Sequence, residues 1–195
     1  MQCAKAFLPL LIIVLAAACT PPAPVFKTTD ISKVPWGGDF ELSAHSGGRI
    51  KSSNLQGKVV AIFFGFTHCP DICSPTLMRL AGVTRQLDES AKDFQVLFVT
   101  VDPEHDTPEQ LADFVPKFHP SFIGLTGNAQ EIDTVKREFK VAADHRQGEG
   151  GKTTIDHTGG VFIKDRRGKL RLYVREGTPV EDILHDVRLL LAERA

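Results

Sequence analysis

Two runs of apolar residues dominate the pattern of hydrophobic and polar positions along the chain. Residues 59–64 and 94–101 are rich in β-branched and aromatic side chains and contain few polar positions. A continuous run of this kind, without alternation, is typical of a strand that is covered on both faces of its sheet. The two runs therefore predict the central strands of a sheet that carries helices on both sides.

Four other stretches repeat their apolar residues at helical spacing. Residues 74–88 have apolar positions three and four apart, which predicts an amphipathic helix. A second helix is predicted over 107–118, because Thr107 is a capping residue and Pro108 suits the first helical position. Residues 128–139 and 178–191 complete the predicted helices.

Shorter strands and turns fill the remaining positions. Residues 40–42 and 49–51 predict an N-terminal β-hairpin, and residues 161–164 and 170–174 predict a second hairpin around a turn that ends in Gly168. A short strand is expected over 122–125, and 147–152 is expected to be a flexible loop. This alternation of strands and helices predicts an α/β fold with a mixed central sheet flanked by helices.

The beginning of the chain has a different composition. Lys5 precedes an apolar run, residues 7–18, which is shorter than the about 20 residues that cross a bilayer but is typical of a signal peptide. The run ends in small residues before Cys19, and this segment resembles a bacterial lipobox. We expect residues 1–18 to be a signal peptide and Cys19 to be the site of lipid attachment. A plain secretory signal cut near Ala18 and an uncleaved anchor are the alternatives.

The next segment and the overall composition set the domain organisation. Residues 20–35 include four prolines and few large apolar side chains, a composition that favours an extended chain. We therefore expect residues 19–37 to be a tether and residues 38–195 to form one domain. The formal net charge of -1 gives no electrostatic reason to expect binding to nucleic acid.

The number and spacing of the cysteines restrict the kinds of chemistry that the domain can perform. Of the four that are encoded, Cys3 leaves with the signal peptide and Cys19 carries the lipid, so Cys69 and Cys73 remain in the domain. A domain of this length has a sufficient core and does not need a structural disulfide. An isolated pair four residues apart therefore indicates redox or metal chemistry.

The predicted position of the pair supports this interpretation. Cys69 and Cys73 lie between the strand 59–64 and the helix 74–88, where α/β sheets form their ligand sites and where a helix N-terminus favours a thiolate. Four residues of a helical turn separate two Cα atoms by about 6 Å, within the roughly 4.4–6.8 Å found in disulfides. A switchable disulfide, a dithiolate metal site, and a structural disulfide or two inert thiols all remain possible.

One histidine is placed to join the two cysteines. His157 comes shortly before the predicted strand 161–164, which a sheet of this order can bring beside the cysteine loop. Two thiolates and one imidazole suit Cu(I), and a fourth contact would extend the set for Cu(II). Zinc accepts the same donors but usually takes a fourth protein ligand in a structural site, and the sequence does not show an obvious one.

Three motifs carry a resemblance to a known family. Residues 65–73 (GFTHCPDIC), 101–107 (VDPEHDT) and 156–158 (DHT) look like the motifs of the Sco/SenC family, in the same order and spacing, and the resemblance covers about residues 30–195. It implies a thioredoxin-like fold, copper bound by Cys69, Cys73 and His157, and a role in assembling the CuA centre of cytochrome c oxidase. It also implies thiol-disulfide activity at the same two cysteines.

The leading hypothesis is thus a copper metallochaperone of the bacterial cell envelope, anchored to a membrane by lipid on Cys19 with its domain in the periplasm. Its expected partners are the oxidase subunit that carries CuA, a copper donor and a thiol reductant. The alternative is a thiol-disulfide oxidoreductase, although such enzymes generally use C-x-x-C, one residue shorter than the spacing here. A peroxiredoxin-like peroxidase is a third hypothesis, and it lacks the usual proline motif before the reactive cysteine.

Several further polar residues could contribute to such a site. Asp102 and Asp106 follow the strand 94–101, and we expect them to end the strand and begin a helix, with a role in shaping the copper site as the alternative. His68 is adjacent to Cys69 and either tunes its thiolate or is an exposed loop residue. The remaining histidines are expected at the surface: His45, His105, His119, His145 and His185.

Overall fold

The structure, a computed structural model, describes residues 25–147, 153–157 and 159–194, and for residues 144–147 and 153–157 it describes the backbone only. In this part of the chain, strands and helices alternate as the sequence predicts. The strands are β1 (Thr29–Asp30), β2 (Glu41–Ala44), β3 (Arg49–Lys51), β4 (Val59–Gly65), β5 (Phe94–Thr100), β6 (Ile123–Thr126), β7 (Ala143–Gln147), β8 (Thr153–His157), β9 (Val161–Lys164) and β10 (Leu170–Val174). The α-helices are α1 (Cys73–Gln86), α2 (Pro108–Phe114), α3 (Ala129–Phe139) and α4 (Val180–Ala192).

Eight of the described strands form one mixed sheet in the order β1-β10-β9-β4-β5-β6-β2-β3. Strands β4, β5 and β6 are parallel, and the other pairings are antiparallel. The fold class predicted from the sequence is therefore confirmed, together with the N-terminal hairpin β2–β3. Because β4 and β5 pair in register up to Gly65 and Thr100, the loops that follow these two strands emerge side by side.

The two central strands are buried along their whole length, as their unbroken apolar pattern predicts. All seven residues of β4 and all seven of β5 are buried. Successive side chains point to opposite faces: Phe63 joins the core under α1, α2 and α4, whereas Phe64 joins the core under α3. The sheet thus separates two hydrophobic cores.

The helix boundaries differ from the predicted ones for local reasons. Helix α1 ends at Gln86, and a 3-10 helix follows in which Asp88 has a left-handed φ of 47°. Helix α2 stops at Phe114 and continues as a 3-10 turn that contains Pro116, a residue without the N–H that an α-helix requires. The predicted cap Thr107 accepts the Gln110 N–H at 3.3 Å.

Residues 27–30 pack on the domain, within the segment 19–37 that the sequence analysis expected to be a tether. Strand β1 pairs with β10 through Thr29 and Tyr173. Just before it, the buried carboxylate of Asp186 in α4 accepts the backbone N–H groups of Lys27 and Thr28 at 2.8–3.1 Å. The segment 25–37 is therefore attached to the sheet edge and to α4.

A second antiparallel pair lies apart from the main sheet, and the sequence analysis did not predict it. Strand β7 pairs with β8 so that Ala143 lies opposite His157 and Gln147 opposite Thr153. Residues 148–152 of the predicted flexible loop lie outside the described residues, as do the predicted signal peptide and Cys19. Among the residues that are described, no helix has the length and apolar character needed to cross a membrane.

Candidate metal centre

The cysteine pair lies at the carboxyl end of β4, at the start of α1. The chain leaves the strand at Gly65 and forms a turn in which the Cys69 N–H donates to the Phe66 carbonyl at 3.2 Å. Cys73 is the first residue of α1. The sequence prediction that both cysteines lie at a strand-to-helix junction is confirmed.

The two sulfurs occupy different environments. Cys73 is fully buried in the core under α1, whereas Cys69 is half-buried and packs against both hydrophobic cores. Both residues are thiols in the structure. A Cβ atom added to Gly65 would lie 2.8 Å from Cys73 Sγ, so the absence of a side chain at Gly65 gives the Cys73 sulfur its space.

The electrostatics of Cys73 differ from the sequence expectation of a favoured thiolate. The hydrogen bond between Cys73 and Cys69 and the burial of the Cys73 thiol raise the pKa of Cys73 well above its ordinary value, and a backbone hydrogen bond with Phe66 opposes this only in part. Burial disfavours the charged form of a thiol. At neutral pH Cys73 therefore holds its proton until a cation or another charge compensates the thiolate.

A buried carboxylate fixes the turn that carries Cys69. Asp106 is fully buried, and its carboxylate accepts the Thr67 hydroxyl at 2.6 Å, the Thr67 N–H at 3.0 Å and the Thr100 hydroxyl at 2.6 Å. The Thr67 hydroxyl has a single proton, and it donates this proton in a hydrogen bond to Asp106. His68 Nδ1, which lies 3.0 Å from the Thr67 hydroxyl oxygen, therefore donates a hydrogen bond to that oxygen. Asp106 thus joins the loop after β5 to the cysteine turn, which is more than the helix entry expected from the sequence.

His157 is the last residue of β8, and its backbone pairs with Ala143. Its side chain lies outside the described residues, and among the described side chains no group of three His, Cys, Asp or Glu residues comes together as a metal site. The chain after His157 is described from Gly159 onward. A Cβ added to Gly159 would lie 2.8 Å from Cδ1 of Ile72, the residue directly before Cys73.

Other polar residues considered in the sequence analysis make hydrogen bonds to residues outside the cysteine turn. Asp102 hydrogen-bonds the exposed ring of His105 at 2.9 Å, and this contact raises the pKa of His105. His45 is partly buried and accepts the Gly124 N–H at 2.8 Å. His119 precedes β6, which runs parallel to β5. His119 therefore lies near the amino ends of the parallel strands, whereas the cysteines lie at their carboxyl ends.

The sequence analysis did not single out the glycines and threonines that shape this junction. Gly65 leaves room for Cys73, Thr67 and Thr100 supply the donors for Asp106, and Gly159 allows the contact with Ile72. The in-register pairing of Gly65 with Thr100 is the feature that could have linked these residues to one site, since it places the loops after β4 and β5 next to each other. No composition or spacing rule reports such contacts.

A dithiol at the carboxyl end of a central parallel strand, in a mixed sheet covered by helices on both faces, defines a protein of the thioredoxin-like class. The particular family follows from comparison with known proteins. The model of the SCO1/SenC family matches residues 28–192, and the chain belongs to this family.

Sequence and structure comparisons agree with this assignment. An SCO2-like protein of Rickettsia conorii is 37% identical over 167 residues, which cover 83% of this chain and 82% of that protein. The structure of Bradyrhizobium japonicum ScoI with copper bound superposes with a TM-score of 0.74 at 33% identity, over 80% of this chain and 99% of ScoI. The fold of the chain is thus that of the Sco proteins.

Two further solved structures describe other properties of such relatives. A SCO1/SenC family lipoprotein from Bacillus anthracis has a TM-score of 0.70 at 26% identity, over 85% of this chain and 99% of that protein. BsSco, described as a member of the Sco family of cytochrome c oxidase assembly proteins with a disulfide switch, has a TM-score of 0.65 at 26% identity, over 82% of this chain and 95% of BsSco.

Proposed function

We propose that this chain is a metallochaperone that binds a copper ion through Cys69, Cys73 and His157 and supplies it for the CuA centre of cytochrome c oxidase. Copper is the cargo. Two thiolates and an imidazole are soft and intermediate donors that suit Cu(I). The relatives support the proposal, since ScoI carries copper and BsSco belongs to a family of oxidase assembly proteins.

One observation carries the ligand set. The two cysteine thiols meet at the junction of β4 and α1, and the chain that follows His157 returns to this junction at Gly159, against Ile72. Two residues span at most about 7 Å, so His157 is close in sequence to a described contact with the cysteine turn. The raised pKa of Cys73 also fits a metal site, because a bound cation would compensate the buried thiolate.

The cellular position is part of the same proposal. The lipobox-like sequence before Cys19 and the lipoprotein among the structural relatives support a lipid anchor in the bacterial envelope, with the domain in the periplasm. Cys19 precedes Lys27 by eight positions, a reach of roughly 28 Å at full extension. Copper binding then needs a reductant, since this compartment oxidises thiols, and a donor of copper.

A second candidate is a thiol-disulfide oxidoreductase that acts on cysteines of an oxidase subunit or another envelope protein. The observation that favours it is the hydrogen bond between the Cys69 and Cys73 side chains, which brings the two sulfurs close. The disulfide switch described for BsSco supports the same chemistry. Both functions use the same two cysteines, so cysteine substitutions cannot separate them.

The test compares Cu(I) binding by the reduced full chain, in detergent, with that of His157→Ala. The copper proposal predicts about one equivalent bound by the wild type and none by the disulfide form. For His157→Ala we expect an affinity lower by roughly two orders of magnitude, or about 2.8 kcal/mol. The measurement is competition for Cu(I) with a chromophoric chelator.

The matched control is His119→Ala, because His119 lies at the opposite edge of the sheet. This variant should bind Cu(I) like the wild type. Unchanged affinity of His157→Ala, together with fast dithiol exchange at Cys69 and Cys73, would replace the copper proposal by the oxidoreductase.

A further inference from the structure

Three residues connect the strand that ends at His157 with the strand β9 of the main sheet, and two of them are glycines. Gly159 and Gly160 come directly before Val161, the first residue of β9. Neither glycine has a φ in the left-handed region among the described positive-φ residues. Backbone conformation therefore does not require glycine at either position, and the need for glycine depends on what an added side chain would meet.

Gly159 lies against the cysteine turn. An added Cβ would stand 2.8 Å from Ile72 Cδ1 and 3.4 Å from a carboxylate oxygen of Glu176. Ile72 lies between the two cysteines in sequence, immediately before α1, and packs against the core under that helix. The contact therefore joins the segment that follows His157 to the last of the three residues between Cys69 and Cys73.

Gly160 lies against an aromatic ring. It is buried, and an added Cβ would overlap the ring of Tyr173. Tyr173 also packs on Phe162 with ring centroids 5.2 Å apart, so a second neighbour limits the position of the ring. The two glycines thus fix the path of the chain between two neighbours, Ile72 and Tyr173.

We propose that Gly159 and Ile72 are positioning residues that set the segment bearing His157 against the cysteine turn, with the contact between Gly160 and Tyr173 fixing the other side. This inference rests on the proposed copper function. Metal–ligand distances tolerate only about ±0.2 Å, and His157 is two residues from Gly159. A displacement of a few tenths of an ångström at Gly159 therefore changes how His157 meets the ion.

The main test is the pair Gly159→Ala and Gly159→Ala/Ile72→Val, measured as Cu(I) affinity of the reduced full chain. The alanine Cβ meets Ile72 Cδ1, so we expect the single variant to bind Cu(I) about 10-fold more weakly, the range seen for groups that orient metal ligands. Valine lacks that δ carbon, and the double variant should recover to within about 3-fold of the wild type. A merely structural role would lower stability without this recovery of affinity.

Gly82→Ala is the control, because its added Cβ would lie 3.5 Å from Val180 Cγ1, an ordinary contact, and its affinity should equal that of the wild type. If Gly159→Ala does not fold, Ile72→Ala tests the same contact, because it removes the side-chain atoms that Ile72 contributes to it. The Cu(I) affinity of this variant should also fall. A nuclear Overhauser effect between the Ile72 δ-methyl and the Gly159 α-protons in the copper-free reduced chain tests the contact itself.

The positioning role is overturned if Gly159→Ala or Ile72→Ala binds Cu(I) with wild-type affinity. It is also overturned if Ile72→Val does not reverse the loss of Cu(I) affinity in Gly159→Ala, or if the Overhauser effect is absent. Failure of the copper proposal shows in another variant, as unchanged affinity of His157→Ala. Wild-type affinity of Gly159→Ala beside an impaired His157→Ala would reject the positioning role alone.

Discussion

The two halves of the candidate metal centre are built in different ways. The cysteine half belongs to the main sheet, because Cys73 is buried beneath α1 and the turn before it is fixed by Asp106. The histidine half belongs to a separate two-stranded pair, β7–β8, and meets the cysteine half through Gly159. The cysteine half is held by core packing and buried hydrogen bonds, whereas the chain that follows the histidine half lies against the side chains of Ile72 and Tyr173 at its two glycines.

This difference separates two requirements of a copper chaperone. Under the proposed function the cysteines must resist displacement while they change between thiol, disulfide and metal-bound states, and packing within a core provides that resistance. His157, the proposed third ligand, belongs to β8, which lies outside the main sheet, so its position can be altered without unpacking the domain. We therefore expect substitutions in the cysteine half to lower global stability and substitutions in the histidine half to lower copper affinity first.

Asp106→Ala should have the largest effect on stability. It leaves the Thr67 N–H, the Thr67 hydroxyl and the Thr100 hydroxyl without their acceptor. Each buried group left unsatisfied costs about 1–3 kcal/mol, and since some will find water we expect a total loss of about 3 kcal/mol. Urea unfolding measures this loss, and Asp113→Ala, which removes an exposed carboxylate from α2, should unfold like the wild type.

An unfolding midpoint of Asp106→Ala equal to that of the wild type would show that the cysteine turn does not depend on this carboxylate. The contrast between the two halves would then lose its main support. Asp106→Asn, which keeps the size of the side chain, should fall between the wild type and the alanine variant.

Gly65→Ala should have the next largest effect. The new Cβ would lie 2.7 Å from Phe98 Cε2 and 2.8 Å from Cys73 Sγ, in the middle of a packed core. Overpacking of this kind costs about 1–3 kcal/mol, and the displaced sulfur should also weaken Cu(I) binding. Equilibrium unfolding and Cu(I) competition measure the two losses together.

The comparison with Gly159→Ala sharpens the contrast. We expect Gly65→Ala to lose stability and affinity in parallel, and Gly159→Ala to lose affinity with a smaller change in stability. Gly82→Ala serves again as the control, and in a helix interior it should gain up to about 1 kcal/mol. Equal stability losses in the variants of Gly65 and Gly159 would contradict the distinction between the halves.

Local patterns in the sequence predicted the position of the cysteine half, whereas His157 was proposed from its place before the strand 161–164 and from the resemblance. The buried runs of β4 and β5 and the helical spacing in α1 are local patterns, and together they placed Cys69 and Cys73 correctly. The pairing of β7 with β8 is not visible in a segment with few apolar residues. Nothing local in the sequence indicates that Gly159 touches Ile72, because such contacts depend on how distant segments pack.

The buried acids were also hard to predict. Asp106 comes directly before a predicted helix and Asp186 lies within one, positions where acidic residues are usually exposed, and yet both are fully buried. Each receives hydrogen bonds from a segment that is distant in sequence, 39 residues away for Thr67 and 158 for Thr28. Charge patterns report on neighbours along the chain, whereas these carboxylates are satisfied by tertiary partners.

Asp186→Asn should have the smallest effect and lies outside both halves, so it separates a general loss of stability from a local one. Burial raises the pKa of Asp186, but the hydrogen bonds from His185, Lys27 and Thr28 outweigh it, and the net pKa is lowered from the ordinary value of 3.8. We expect the variant to lose about 1 kcal/mol at pH 7, with Cu(I) affinity unchanged.

The loss should depend on pH in a defined direction. A carboxyl group whose pKa is lowered by folding stabilises the protein above its unfolded pKa, and this contribution disappears as the pH falls through the folded value. The free energies of unfolding of the wild type and Asp186→Asn should therefore converge below pH 3.8, as urea unfolding at pH 7 and pH 3 measures. Asp182→Asn, which removes the partly exposed partner of Lys27, is the matched control and should show no measurable change. A difference between the wild type and Asp186→Asn that stays constant with pH would show that the loss does not come from the charge of the carboxylate. A fall in Cu(I) affinity would show that the attachment of Lys27 and Thr28 to α4 supports the metal centre, and this would break the separation of the two halves.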